Sequence, residues 1–292
     1  MTTLDRLSKA FDELVDDLVA LTESLPVRWI NNHSGGFVII APDYVWGERT
    51  LEQEHSHLQL SRRFAQIVDL LNALLVGAPD SLLTDFVDSQ KKFKIWVDLS
   101  SNWSLTQVVA ENTKHLRESA ANLRHVLDVL AAAPKDRTIL IADTNSLLAE
   151  AAPEAYRTVC GVDSFEFVLL PTVLQELDEL KVTHRNPDVR EKAQKVITRI
   201  KGWRTQGSLL NGVKIDKTIV VRAVHQEPDF SKSLSWLDSS NADDRIVASV
   251  MQIQAISPSA RVLLATGDIN LQNKADAALI ETVEFKRADS MQ

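Results

Sequence analysis

The segment Arg137 to Leu148, RTILIADTNSLL, limits the fold more than any other stretch of the chain. Ile139, Leu140, Ile141 and Ala142 form an apolar run with no polar face. That pattern suits a strand buried on both sides, and therefore a sheet with layers above and below it. Asp143 ends the run, and Thr144, Asn145 and Ser146 can cap the helix that follows. A carboxylate at the end of such a strand lies where open α/β sheets place their ligands, outside the carboxyl ends of the strands. Taken alone, Asp143 is as readily a turn or cap residue. Whether other acids converge on the same edge decides between the two readings.

The same character continues to the C-terminus. Strands are expected at Ile139 to Ala142, Phe165 to Leu170, Thr218 to Val224, Val262 to Ala265 and Thr282 to Phe285, with helices near Pro171 to Lys181, Asp188 to Arg204, Ala242 to Ile256 and Asn270 to Ala277. Strands alternating with helices predict an α/β fold, a mostly parallel sheet flanked by helices. Residues 1 to 134 read differently. Leu4, Leu7, Phe11, Leu14, Leu18 and Leu21 recur at spacings of three and four, the mark of an amphipathic helix with a coiled-coil-like seam that ends near Pro26. Residues 27 to 49 hold Gly35-Gly36, Pro42 and Gly47 around the apolar run Phe37 to Ile40, a hairpin fragment or an ordered loop. Helical spacing returns over Leu51 to Val76 and closes at Gly77 and Pro79. It resumes over Ser81 to Phe93 and again from Val109 to Leu130. The expected organisation is an all-α helical domain, residues 1 to 134, preceding an α/β domain, residues 135 to 292. The seam packs on the other helices or against a second copy, so a homodimer or a protein partner is the modest expectation for the helical domain.

Composition narrows the function. With 45% hydrophobic and 25% charged residues the chain is ordinary globular material. Its start lacks a basic segment followed by an apolar core, and no window approaches the roughly 20 apolar residues of a membrane span. A soluble, cytoplasmic protein is expected. The single cysteine, Cys160, allows no internal disulfide and no cysteine-based zinc site, in keeping with a reducing compartment. His33, His55, His57, His115 and His125 invite a metal reading. However, His55 and His57 point in different directions on a helix, and no carboxylate or cysteine completes the set. Trp29, Tyr44, Trp46, Trp96 and Trp103 are read as packing between helices. The formal charge of −8 excludes a uniformly basic nucleic-acid coat. Residues 181 to 204 carry the opposite sign, with Lys181, Arg185 and Arg190 placed to meet a phosphate chain directly after the helix of Glu176.

The acids recur in the α/β half. In PTVLQELDELK the residues Val173, Leu174, Leu177 and Leu180 form the buried stripe, and Glu176 lies closer to it than Asp178 or Glu179. In SSNADDRIVAS, Asn241 can cap a helix whose first turn holds Asp243 and Asp244, a place that the helix dipole favours without any function. In VLLATGDINL, Asp268 follows a buried strand through Thr266-Gly267, repeating the placement of Asp143. Such carboxylates, with no histidine or cysteine among them, are hard oxygen ligands that suit Mg²⁺ or Mn²⁺ rather than zinc. These ions activate water in phosphodiester hydrolysis. A phosphatase with Asp143 as nucleophile is disfavoured, since position 145 is Asn where a second aspartate is usual.

In their order and surroundings, IADTN, PTVLQELDELK, NADDRIVAS and LLATGDINLQNKA resemble a PIN domain over residues 137 to 287. PIN domains are metal-dependent nucleases related to flap endonucleases. The resemblance implies Asp143, Glu176, Asp243 and Asp268 as a catalytic, metal-binding quartet, with Asp244 as a neighbouring ligand that substitutes or assists. Asn145 and Thr266 match polar positions that line such sites. An endoribonuclease acting on single-stranded RNA is the expected activity. The alternatives are a DNA-directed nuclease, or a PIN-like module that binds nucleic acid or assembles without catalysis. The resemblance leaves the helical residues 1 to 134 unassigned. Small toxins of this family are usually a lone PIN domain, so the added domain argues against that role.

Overall fold

The computed structural model describes residues 1–30, 42–132 and 137–285. It divides into two compact units, one of Leu4–Leu71 and Gly77–Ala132, the other of Met1–Thr3, Asn72–Val76 and Ala133–Gln292. His33, Gly35-Gly36 and the run Phe37 to Ile40 lie outside the described residues. No helix among the described residues is long and apolar enough to cross a membrane.

The first unit is built on helices α1 (Thr3–Ser24), α2 (Leu51–Leu74), α3 (Asp80–Val97) and α4 (Val109–Ala131). Strands β1 (Val27–Trp29) and β2 (Tyr44–Trp46) pair antiparallel, with Val27 opposite Trp46. The seam residues Leu4, Leu7, Phe11, Leu14, Leu18 and Leu21 are all buried within the single chain. Phe93 is fully buried and meets Phe11 and Phe64 edge-on, each at a ring separation of 5.4 Å, the arrangement that aromatic quadrupoles favour. Helix α3 runs past the expected end at Phe93, because Trp96 and Val97 extend its buried stripe. It closes at Leu99, whose φ of 50° is left-handed, while the Ser100 amide donates back to the Ile95 carbonyl at 3.0 Å. This is a helix-ending turn in which leucine stands where glycine is usual. The tryptophans divide: Trp46 packs edge-on against Trp96, whereas Trp29 and Trp103 are exposed.

In the second unit β3 (Thr138–Ala142) leads into α5 (Thr144–Ala149), followed by a 3₁₀ turn at Pro153–Tyr156 that runs into α6 (Arg157–Cys160). Next come β4 (Phe165–Leu169), α7 (Pro171–Thr183), α8 (Pro187–Arg204), β5 (Val213–Lys214) and β6 (Ile219–Ala223). The described chain closes with α9 (Ala242–Ile256), β7 (Arg261–Ala265), α10 (Ile269–Ala277) and β8 (Glu281–Val283). The six strands lie in the order β5-β6-β4-β3-β7-β8 and only β5 is antiparallel. This is the mostly parallel α/β architecture that the alternation predicts. The pieces it did not predict, α6, the 3₁₀ turns at Pro153–Tyr156 and Phe230–Lys232 and the two-residue β5, are too short to show a period.

Every residue of β3 is buried. From β3 the chain builds outward through β4 and β6, then returns across β3 to lay β7 and β8 on the other side. The strand order therefore reverses at β3, and the crevice outside its carboxyl end is where a doubly wound sheet binds its ligand. Beneath this point Tyr156 is fully buried, its single hydroxyl proton shared between the carbonyls of Ser146 and Glu150 at 3.0 and 2.9 Å, which ties α5 down.

The aromatic cluster of the helical unit yields a direct test. Phe93→Ala removes a ring with two edge-on partners and leaves a cavity, and should lower unfolding stability by about 3–5 kcal/mol in chemical denaturation. A loss below about 1 kcal/mol would mean that Phe93 is not the centre of that core.

Candidate active site

Asp143 follows β3 directly. It is buried, at 4% exposure, and is itself the N-cap of α5: its Oδ1 accepts from the Ser146 amide at 2.6 Å. The expected caps Thr144, Asn145 and Ser146 instead lie in the first turn, because the residue with extended backbone is the aspartate. Asp143 Oδ2 accepts from the Thr266 hydroxyl at 2.6 Å. Thr266 Oγ1 in turn accepts from the Asp268 amide at 3.0 Å, and Asp268 caps α10 by accepting from the amides of Asn270 and Leu271. One buried hydroxyl thus joins the strand-end acids of β3 and β7. Since Thr266 is fully buried, its hydroxyl serves Asp143 and Asp268 rather than lining an open surface.

Glu176 stands in the second turn of α7, half-buried, while Asp178 and Glu179 are exposed, as the helical angles require. The Thr144 hydroxyl donates to Glu176 Oε2. Burial raises the Glu176 carboxyl above the ordinary range and the negative charges of Asp143 and Asp243 add to this, whereas Thr144 and Arg245 act the other way. Asp143, Glu176 and Asp243 therefore lie within electrostatic reach of one another at the carboxyl edge of β3 and β4.

Asn241 caps α9 by accepting from the Asp244 amide. In the first turn Asp244 is buried and its Oδ2 accepts from the Asp238 amide at 2.9 Å, while Asp243 is partly exposed. Lys274, from α10, reaches both: its Nζ lies 2.7 Å from Asp244 Oδ1 and 3.3 Å from Asp243 Oδ2. Burial pulls the Lys274 ammonium down, but Asp244 and Asp243 more than offset this and raise it. The sequence pattern does not single out Lys274 and Arg245, and it offers Thr144 only as a helix cap. The available signal for Lys274 was its place six residues after Asp268, on a helix whose side chains lean toward their N-terminus.

Asn145 is exposed beside Asp143. Of the basic residues, Arg185 is exposed and makes no ion pair among the described residues. Lys181 pairs with Asp178 of its own helix. Arg190 donates to the His184 carbonyl at 2.5 Å and the Arg185 carbonyl at 3.3 Å, bracing the turn between α7 and α8. Cys160 is buried and its thiol is pushed up to about 11, so it is protonated at neutral pH.

Among the described residues, no three acidic, histidine or cysteine side chains gather closely enough to hold one ion in the arrangement seen. The donor chemistry nevertheless fits a hard divalent cation. Carboxylates, hydroxyls and an amide line the edge, and buried Asp244 Oδ1 has no hydrogen bond of good geometry, only the nearby ammonium. Glu176 is held above its ordinary range by burial first and by the charges of Asp143 and Asp243 after it, a cost that a bound cation would relieve.

The PIN domain family profile matches residues 140–286, just over half of the chain, and spans every acid described above. A comparison with curated proteins yields no match. PIN domains are generally nucleases and typically use divalent metals. With the profile match and the parallel sheet in agreement, the chain belongs to the PIN domain family.

Proposed function

We propose that the PIN domain is a divalent-cation-dependent endonuclease that hydrolyses phosphodiester bonds of single-stranded RNA. In this reading Asp143, Glu176, Asp243 and Asp268 are its acidic quartet, and Asp244 is a fifth ligand beside them. The observation that carries the reading is Glu176, a half-buried carboxylate held above its ordinary range at the switch point of the sheet. Perturbed carboxylates in such a crevice mark functional sites more often than structural ones.

Mg²⁺ or Mn²⁺ bound by these carboxylates would supply an activated water and stabilise the leaving oxygen. The chain's own part is orientation. Thr266 and the Ser146 amide fix both oxygens of Asp143, and Thr144 fixes one oxygen of Glu176. Supporting bonds of this kind set ligand direction and basicity. In this reading Asn145, exposed next to Asp143, contacts the substrate strand, and Lys181, Arg185 and Arg190 form its basic approach. Of these three Arg185 contributes the freest charge, because Lys181 shares its charge with Asp178 and Arg190 is bonded to backbone carbonyls.

One observation favours a second reading, a module that binds nucleic acid or assembles without cutting it: Asp243 and Asp244 already have a cation in Lys274. Labelled single-stranded RNA and DNA incubated with the protein in Mn²⁺, Mg²⁺ or EDTA separate the two. Metal-dependent cleavage of RNA supports the nuclease, cleavage confined to DNA redirects the substrate, and intact strands in every condition support the binding module.

Three outcomes follow. Asp143→Asn keeps an oxygen for the Ser146 amide and should fold normally, yet cut no faster than the EDTA control; cleavage at the wild-type rate would remove Asp143 from the reaction.

The second concerns stability without metal. A raised folded-state pKa at Glu176 means that its contribution is fully present below the ordinary glutamate value and is lost as pH rises through the raised one. In EDTA at neutral pH Glu176→Gln should therefore melt above wild type, and the two curves should converge in acid. A lower melting temperature at neutral pH would show that the ionised form of Glu176 is stabilising.

The third is read with the Asp143→Asn protein, so that no strand is cut. Arg185→Ala should weaken RNA binding and reduce the slope of log affinity against log salt by about 0.7, the value for one phosphate contact on a single strand. An unchanged slope would move the strand to another face.

A further inference from the structure

The start of α9 and one face of α10 hold a cation for which the nuclease reading has no use. Lys274 Nζ lies 2.7 Å from Asp244 Oδ1, 3.1 Å from Asn241 Oδ1 and 3.3 Å from Asp243 Oδ2. The ammonium donates to Asn241 Oδ1 and Asp243 Oδ2 and forms an ion pair with Asp244 Oδ1, so three oxygens surround it. Two are carboxylate oxygens and one is the cap amide of the same helix, so a single turn of α9 supplies the whole cradle. The side chain is only 26% exposed, and α10, capped by Asp268, delivers it from a helix fixed at the same edge. These are features of a cation site that the chain fills with its own side chain.

The other half of the edge differs. Among the described residues Asp143, Glu176 and Asp268 make no ion pair; their partners are the Ser146 amide, the hydroxyls of Thr266 and Thr144, and the amides of Asn270 and Leu271. Paired metal ions in two-metal hydrolases stand about 3.5 to 4 Å apart. A positive charge seated on Asp243 and Asp244 would exclude a second ion there, by occupancy and by repulsion.

Resting on the reading that this edge binds a divalent cation, we propose that Lys274 takes the place of a second metal at Asp243 and Asp244. The domain then binds one divalent ion, on the side of Asp143 and Glu176, and not two; Asp243 and Asp244 of the proposed acidic set are then held by Lys274 and act on that ion through their charge, not as its ligands. Lys274 is a positioning residue: it holds the two aspartates in their present directions and keeps one positive charge at the edge whether or not metal is bound.

The test is the count of Mn²⁺ ions bound by the metal-free full-length chain, by titration calorimetry, with electron paramagnetic resonance of the bound ions. Wild type should bind one Mn²⁺ with the spectrum of an isolated ion. Lys274→Met should bind two, with the spectral broadening of neighbouring spins, and Lys274→Arg, which keeps the charge, should bind one. Two ions in wild type would overturn the proposal, and so would one ion in Lys274→Met with an unchanged circular dichroism spectrum. If Lys274→Met fails to fold, Lys274→Gln replaces it and is judged by the same count. Failure of the underlying reading has its own signature. Wild type would then bind no Mn²⁺, or Asp143→Asn would keep the wild-type count, whereas failure of the Lys274 proposal alone leaves two ions in wild type and fewer in Asp143→Asn.

Discussion

The Thr266 hydroxyl, donating to Asp143 Oδ2 at 2.6 Å, holds together the ends of the two central strands. Asp143 is buried, and a buried carboxylate is costly unless its oxygens are satisfied. Here each oxygen has a donor, and each donor comes from a fixed place: the Ser146 amide from the turn that Asp143 caps, and Thr266 from the end of β7. The Ala265 carbonyl completes the joint by accepting from both the Asp143 amide and the Ser146 hydroxyl, at 3.0 Å each. The pairing of Ala142 with Ala265 thus does more than close a ladder, since it sets the distance between the acid of β3 and the acid that follows β7.

The two ends of the sheet treat acids in opposite ways. Near its amino-terminal end Glu166 of β4 is almost buried, but it is flanked by the guanidinium groups of Arg137 and Arg222. At the carboxyl end Asp143, Glu176 and Asp268 have hydroxyls and amides where Glu166 has cations. A neutral donor satisfies a lone pair without cancelling the charge; Glu176 is pushed up first by its burial, and the charges of Asp143 and Asp243 add to this against Thr144 and Arg245. The contrast separates an acid that holds the fold from acids left with charge to offer. Lys274 divides the carboxyl edge once more, by compensating Asp243 and Asp244 and leaving the other three.

Much of this was legible in the sequence. The parallel sheet follows from short apolar runs separated by helical periods, and Asp143, Glu176, Asp243, Asp244 and Asp268 stand out because each interrupts or borders such a pattern. What escaped depends on distances that a pattern does not encode. The cap of α5 is Asp143 rather than Thr144, Asn145 or Ser146, because capping follows the backbone angle of the residue before the first turn. The family resemblance implies that Thr266 lines the site, and its burial beneath the strand ends gives its hydroxyl to Asp143. Lys274 is far from Asp243 and Asp244 in sequence and meets them only because α9 and α10 are neighbours. In the helical unit the seam of α1 was legible as a buried face, and the structure shows that the single chain already covers it.

The central claim, that the carboxyl edge of β3 and β4 is a divalent-cation site, is tested most directly by anomalous diffraction from crystals grown with Mn²⁺. The account predicts an anomalous peak shared by the carboxylates of Asp143 and Glu176, with Lys274 still seated on Asp243 and Asp244. A peak bridging Asp243 and Asp244 with Lys274 displaced, or none at this edge at saturating Mn²⁺, would contradict it.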